Sequence, residues 1–118
     1  MEEWKVLTGY PHYQISNLGN IQSCHSGSWK YIKPAKTTEG RGRFYLRFKA
    51  YDPYGKGKFI PVHRAVAEMF IGPRPPGMEI MHKDDDTSNN AAVNLEYGTH
   101  SQNVLNSYQK RRNTISTT

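Results

Sequence analysis

The sequence predicts an α+β chain: small antiparallel hairpins in the N-terminal half, then a strand, loop, strand and helix in the C-terminal half. Three observations carry this expectation. Turn-forming clusters such as Asn17-Leu18-Gly19-Asn20 and Asp52-Pro53-Tyr54-Gly55 separate short apolar runs. Residues 43–51 alternate strictly between apolar and basic or aromatic side chains. Helical signals are confined to Val62–Ile71 and to the run after Thr99.

At 118 residues the chain fits one domain, or two small modules that share a core. A formal charge of +6 favours polyanionic partners, nucleic acid first among them. A hydrophobic fraction of 36% is lean, so aromatics, eight of them Tyr, must supply part of the core. The lone Cys24 excludes an internal disulfide and a cysteine-based zinc cluster, and agrees with a reducing compartment. No apolar run reaches membrane-spanning length, and MEEWK lacks the pattern of a signal peptide, so a cytoplasmic protein with no membrane partner is expected.

Trp4 to Ser23, WKVLTGYPHYQISNLGNIQS, is expected to form two short strands around a turn, with Tyr13 and Ile15 before it and Ile21 after it. Gly19 can supply the positive φ such a turn demands. On local features alone this is a hairpin whose aromatics make a small core. Trp4, Lys5, Gly9, Tyr10, Tyr13, Ile15, Ser16, Asn17, Gly19, Ile21 and Ser23 also fall in a specific pattern. It resembles the modular DNA-binding motif found fused to HNH homing endonucleases, which implies a DNA-binding unit over residues 1–24.

Residues 25–42, with Gly27, Pro34, Gly40 and Gly42 among several lysines, predict a short strand near Trp29 to Ile32 followed by an exposed loop. In the next strand Phe44, Leu46, Phe48 and Ala50 face the core, while Arg43, Tyr45, Arg47, Lys49 and Tyr51 face away. Such charge alternation often means a solvated edge. In a chain of this charge, Arg43, Arg47 and Lys49 are equally candidates for phosphate contacts. A turn over Asp52 to Gly57 leads into a return strand from Lys58 to Pro61. Val62 to Ile71 then places Val62, Val66, Met69 and Phe70 on one helix face, and Gly72-Pro73 stops it. His63, at the helix start, reads first as a structural hydrogen-bonding residue. Arg64 beside it is a candidate phosphate contact.

Met81 to Asn103, MHKDDDTSNNAAVNLEYGTHSQN, is dense in His, Asp and Asn, side chains that add little to a core and need polar partners when buried. Met78 to Met81 is expected to be a strand ending at His82, and Lys83 to Ala92 an irregular loop, with Lys83 a further candidate DNA contact. Val93, Leu95 and Tyr97 alternate as a second strand. Thr99 and Gln102 have the spacing of a capping box, opening a helix that runs to about Arg111. The cations of Tyr108 to Arg112 suit the helix dipole and a DNA backbone alike, and residues 113–118 read as a disordered tail. Phosphodiester hydrolysis needs a base, a cation for the charge that develops at phosphorus, and groups that hold the phosphate in line. Imidazole suits the first task, and oxygen ligands such as Asn and Asp suit Mg²⁺ in the second.

VHRAVAEMFIGPRPPG, HKD, the Asn89-Asn90 pair, NLEY and the run from Thr99 to Asn103 together resemble an HNH nuclease of the homing-endonuclease type. The resemblance implies a β-β-α-metal nuclease domain over residues 25–112. It implies His82 as general base, Asn103 as metal ligand, Asn94 as the residue that ties the loop, and His63 in a supporting role. Mg²⁺ or Mn²⁺ is the implied cofactor and double-stranded DNA the implied partner, cut to leave 5′-phosphate and 3′-hydroxyl ends. Asp84 keeps its family position and is a candidate second metal ligand. Close relatives carry Asp or Asn immediately before the base, whereas this chain has Met81, whose thioether cannot replace a carboxylate for Mg²⁺. Asp85 stands where the family often has Gly; Asp tolerates positive φ better than most residues.

The expected function is therefore a metal-dependent DNA endonuclease; the sequence leaves monomer and dimer both open, a partner or dimer being one route to two cuts. One alternative is a DNA-binding protein whose site is degenerate because of Met81. Another is a protein-interaction module that reuses the scaffold.

Overall fold

The computed structural model describes residues 1–38 and 44–102, and in it three antiparallel sheets surround one short helix. The first sheet has the order β1 (Trp4–Leu7), β2 (Tyr10–Ser16), β3 (Ile21–Ser23), β4 (Lys30–Ile32). The stretch expected to give two strands gives three, because Thr8-Gly9 makes a turn of its own, with Gly9 at φ 84. The second turn falls where Asn17 to Asn20 predicted it, with Gly19 at φ 90, and sets the register Ile15↔Ile21.

The second sheet joins β5 (Ala35–Thr38), β6 (Phe44–Tyr51) and β7 (Gly57–Pro61). Part of the loop expected after Ile32 is thus a strand, pairing Ala35 with Arg47 and Lys36 with Leu46. AKTT has no apolar alternation to announce it; a polar edge strand forms because its neighbour offers a ladder of backbone groups. Over the second half of β6 the predicted alternation holds, with Phe48 and Ala50 buried and Lys49 and Tyr51 exposed, whereas Phe44 to Arg47 are all half-buried.

Helix α1 (Val62–Phe70) follows β7 without a loop and packs against the strands of all three sheets. Its buried residues are Val62, Ala65, Val66 and Ala67; the alanines let the strands approach closely, and Met69 and Phe70 are only partly covered. The third sheet pairs β8 (Glu79–His82) with β9 (Leu95–Gly98), His82 lying opposite Leu95. Val93, expected in this second strand, is 83% exposed in a single 3-10 turn, Ala92–Asn94, whose closure directs the Asn94 side chain inward instead.

One hydrophobic core contains Leu7, Tyr13, Ile15 and Ile21 from the first sheet, Phe48 and Ala50 from the second, Leu95 from the third, and the buried face of α1. Full burial of each Ile or Val contributes about 1.5–3 kcal/mol. Tyr13 ties two sheets together: its ring lies 6.4 Å from that of Phe48, and its hydroxyl accepts the Tyr51 backbone N–H at 3.2 Å. Among the described residues no helix is long and apolar enough to cross a membrane.

Residues 100–102 are helical, and the capping box closes as its spacing predicted. The Gln102 N–H donates to Thr99 Oγ1 at 3.2 Å, and the Thr99 N–H donates to Gln102 Oε1 at 2.9 Å. Arg43, Asn103, the rest of the expected helix to Arg111, the YQKRR run and the tail lie outside the described residues.

Candidate active site

His82 is the last residue of β8, where the strand's hydrogen bonding with β9 fixes the backbone and the loop begins. The residue is 9% exposed, and its Nε2 lies 2.8 Å from Oδ1 of Asn90, which is 3% exposed. A carboxamide oxygen can only accept, so this contact is a hydrogen bond in the tautomer that carries the proton on Nε2. Asn90 was legible only as half of an Asn pair, with no role attached to it. The available signal was a polar residue destined for burial in a loop, which needs a partner.

The loop between the two strands is held by side chains rather than by secondary structure. Asn94 Nδ2 donates to Asp84 Oδ1 and to the Asn89 carbonyl, both at 2.8 Å, while Asn94 Oδ1 accepts the Asp84 N–H at 3.1 Å. Asp84 Oδ2 accepts from Asn89 Nδ2 at 2.8 Å, and Asp84 Oδ1 also accepts the Asp86 N–H at 2.9 Å. These bonds, Asn89 first and the Asp86 backbone next, hold the Asp84 carboxyl at a pKa of about 2. Asp86 repeats the device one turn on, accepting from the Ser88 N–H and hydroxyl at 3.0 and 2.6 Å. Between them Asp85 adopts φ 63, the conformation expected at the position where relatives often have Gly.

Near the ring stand Tyr45 of β6 and His63 of α1. The His63 and His82 ring centroids are 5.4 Å apart, those of Tyr45 and His63 5.0 Å, and those of Tyr45 and His82 6.5 Å. Its place at the helix start predicts a hydrogen-bonding role for His63, yet its Nδ1 is buried without a hydrogen-bond partner. Burial first, then the nearby His82 and Arg64, push its pKa down to about 4, so it is a neutral ring packed on its neighbours.

A cavity of about 290 Å³, lined by Thr37, Tyr45, Arg47, Phe59, Pro61 and His63, opens beside this cluster. Arg47 stacks over Phe59 at 4.1 Å, and Lys49 lies 5.4 Å from the Phe59 ring and 5.6 Å from that of Tyr51. Arg47 and Lys49 thus line one basic, aromatic face that leads to His63 and His82. Arg64 is less available, since its Nε pairs with Glu68 at 3.1 Å on the exposed side of α1. Lys83 is exposed directly after His82, its N–H bonded to the Asn94 carbonyl at 2.7 Å.

Among the described residues no group of three His, Cys, Asp or Glu side chains is placed to hold a metal ion. Both oxygens of Asp84, the candidate second metal ligand, accept hydrogen bonds from the loop. Met81 is 7% exposed, and a Cβ on Gly98 would lie 2.7 Å from its Cε and 3.0 Å from its Sδ, so the thioether fills space over the facing strand. The described residues therefore do not by themselves complete a site for a hard dication.

Comparison with known proteins gives a consistent set of likenesses. The family model described as HNH endonuclease matches residues 61–105, and the NUMOD4 motif matches residues 2–49. The DNA endonuclease I-HmuI of Bacillus phage SP01 is 40% identical over 114 residues, covering 96% of this chain and 60% of the phage protein. An uncharacterized HNH endonuclease of Acanthamoeba polyphaga mimivirus, L245, is 30% identical over 102 residues, covering 86% of this chain but 28% of its own. Among solved structures, that of DNA binding and cleavage by the HNH homing endonuclease I-HmuI superposes with a TM-score of 0.76 at 37% identity, over 92% of this chain and 59% of that one. The chain thus spans about three fifths of the phage enzyme it resembles.

Proposed function

Because the chain joins a NUMOD4 motif to a domain of the HNH endonuclease family, we propose that it hydrolyses phosphodiester bonds of double-stranded DNA, with His82 as general base. The observation that carries this reading is the buried 2.8 Å contact between His82 Nε2 and Asn90 Oδ1, at the end of a basic, aromatic face. In this orientation Nδ1 takes the proton of a water as its oxygen attacks phosphorus. The bond to the 3′-oxygen breaks and that oxygen takes a proton from solvent water, leaving 5′-phosphate and 3′-hydroxyl ends. Arg47 and Lys49 hold backbone phosphates so that the scissile one lies in line with the water, and Arg43 and Lys83 are further candidate phosphate contacts. Asn94 and Asp84 keep the loop closed beneath the base, and His63 supports it by packing.

HNH nucleases generally use a divalent metal. For this chain we take it to be Mg²⁺ or Mn²⁺, held by Asn103 together with oxygen donors beyond those the described residues bring together. A monomer acting on one strand at a time, inside the cell where its DNA lies, is the simplest form of the reading.

Met81, buried over Gly98 in place of a hard ligand, supports a second reading in which DNA is bound and cut weakly or not at all. Incubating supercoiled plasmid with Mg²⁺ or Mn²⁺ distinguishes the two. The nuclease reading expects nicked or linear product from wild type, suppressed by EDTA and reduced at least about a thousandfold in His82→Ala, within the range for loss of a general base. Cleavage that survives His82→Ala sinks the assignment of the base. Salt-sensitive binding without cleavage favours the second reading.

A further inference from the structure

The residues around Asn90 connect the candidate base to the far end of the chain. Asn90 is 3% exposed and lies directly against the β2–β3 turn: a Cβ on Gly19 would stand 3.2 Å from the Asn90 Cβ and 3.3 Å from its carbonyl carbon and oxygen. Two residues on, the Ala92 N–H donates to the Asn17 carbonyl at 2.7 Å. The turn that makes these contacts is itself tightly tied. The fully buried Ser16 accepts the N–H groups of Leu18 and Asn20 on its hydroxyl at 3.2 and 3.1 Å, and its backbone N–H donates to the Asn20 carbonyl at 2.9 Å. Asn17 exchanges two bonds with Glu3: the Glu3 N–H donates to Oδ1 at 2.7 Å, and the Asn17 N–H donates to the Glu3 carbonyl at 3.0 Å. On both sides of it, Ile15 and Ile21 are anchored in the core.

We propose that Asn90 is a positioning residue that holds His82 in its Nε2–H form, and that the turn Asn17-Leu18-Gly19-Asn20 of the NUMOD4 motif is the brace that keeps Asn90 in place. This rests on the reading of His82 as the base. The motif that precedes the nuclease domain then contributes to the geometry of the reaction and not to DNA contact alone. Glycine is required at position 19 for two separable reasons, its φ of 90 and the close approach of Asn90. Gly9 offers the comparison, because it has φ 84 but nothing within 4 Å of the place its Cβ would occupy.

The test uses the full chain as wild type, Asn90→Ala, Asn90→Asp, Gly19→Ala and Gly9→Ala. Long-range ¹H–¹⁵N spectra at about pH 8, above the ordinary imidazole pKa, read which nitrogen of His82 bears the proton. Wild type and Asn90→Asp, which keeps an acceptor oxygen in place, are expected to show the Nε2–H form. Asn90→Ala and Gly19→Ala are expected to lose that single form. Their kcat is expected to fall roughly 10- to 100-fold, with KM changed less than about threefold, the size of effect that supporting residues have on oriented imidazoles. Gly9→Ala is expected to keep both the tautomer and kcat. An Nδ1–H form in wild type overturns the proposal, and so does a Gly19→Ala effect no larger than that of Gly9→Ala. Should Gly19→Ala fail to fold, Asn90→Ala, which adds no atoms, decides the first half and a shift of the Asn90 amide signals in Asn17→Gly decides the second. The spectra need no DNA, so the brace stands or falls on them even if His82→Ala leaves cleavage intact and the nuclease reading fails.

Discussion

His63 and His82 face each other with ring centroids 5.4 Å apart, and burial keeps the first of them neutral at a pKa of about 4. An unfolded histidine titrates near 6.5, so between those values the unfolded chain binds a proton that the folded chain refuses. Stability should therefore fall as pH drops from about 6.5 to 4, by on the order of 3 kcal/mol. Asp84 acts in a different window. Its carboxyl is depressed to about 2, so its contribution is present above about 3.8 and lost below that. Denaturant melts from pH 7 to 4 should show the upper limb in wild type and a flatter one in His63→Phe; equal slopes would mean that His63 is not its source. Met81 is the other informative residue. A carboxylate there would provide the hard oxygen that a thioether lacks, so Met81→Asp should raise Mg²⁺-dependent cleavage by roughly tenfold or more. Burying that carboxylate over Gly98 should lower stability by about 1–3 kcal/mol. No gain in cleavage would mean that other groups already complete the metal shell.

At the scale of elements, the β6–β7 hairpin separates two kinds of cation. Arg47 and Lys49 lie over Phe59 on the face that leads to the His pair, whereas Arg64 is engaged with Glu68 on α1. Arg47→Ala and Lys49→Ala should each weaken DNA binding and reduce the slope of log Kd against log salt by about 1. Arg64→Ala should change the slope by less. Titrations of duplex DNA at several KCl concentrations measure this directly, and an unchanged slope in both hairpin variants would remove the face from the DNA interface. The elements also show how uneven the sequence signal was. The capping box, the alternation of β6 and the turn at Gly19 were legible because each is specified within a few residues. β5 was not, because AKTT becomes a strand only by pairing with β6.

At the scale of the whole molecule, one core joins the sheet that carries the Gly19 turn to the sheet that carries His82. Ile15 is fully buried at that junction, and Ile15→Ala should lower stability by about 2–4 kcal/mol. Because the core is shared, the loss should be felt as one transition. Fluorescence of Trp4 and Trp29, both on the first sheet's side, should melt at the same midpoint at which cleavage is lost. Separate midpoints would show that the C-terminal half stands without the N-terminal sheet.

The sequence by itself determined what is written in local chemistry: the strands that alternate, the helix with its glycine-proline stop, the side-chain-rich loop, and His82 at the end of a strand. It also marked Asp85 as a residue able to take a positive φ. Tertiary structure alone decided the contact of His82 with Asn90, the packing of Gly19 on Asn90, the Tyr45, His63 and His82 cluster, and the use of Asp84 by its own loop. These join residues far apart in the chain, or choose among several polar partners close at hand. Periodicity and capping report a residue's relation to its immediate neighbours, whereas the partner of a buried polar side chain is set by how the sheets close around α1.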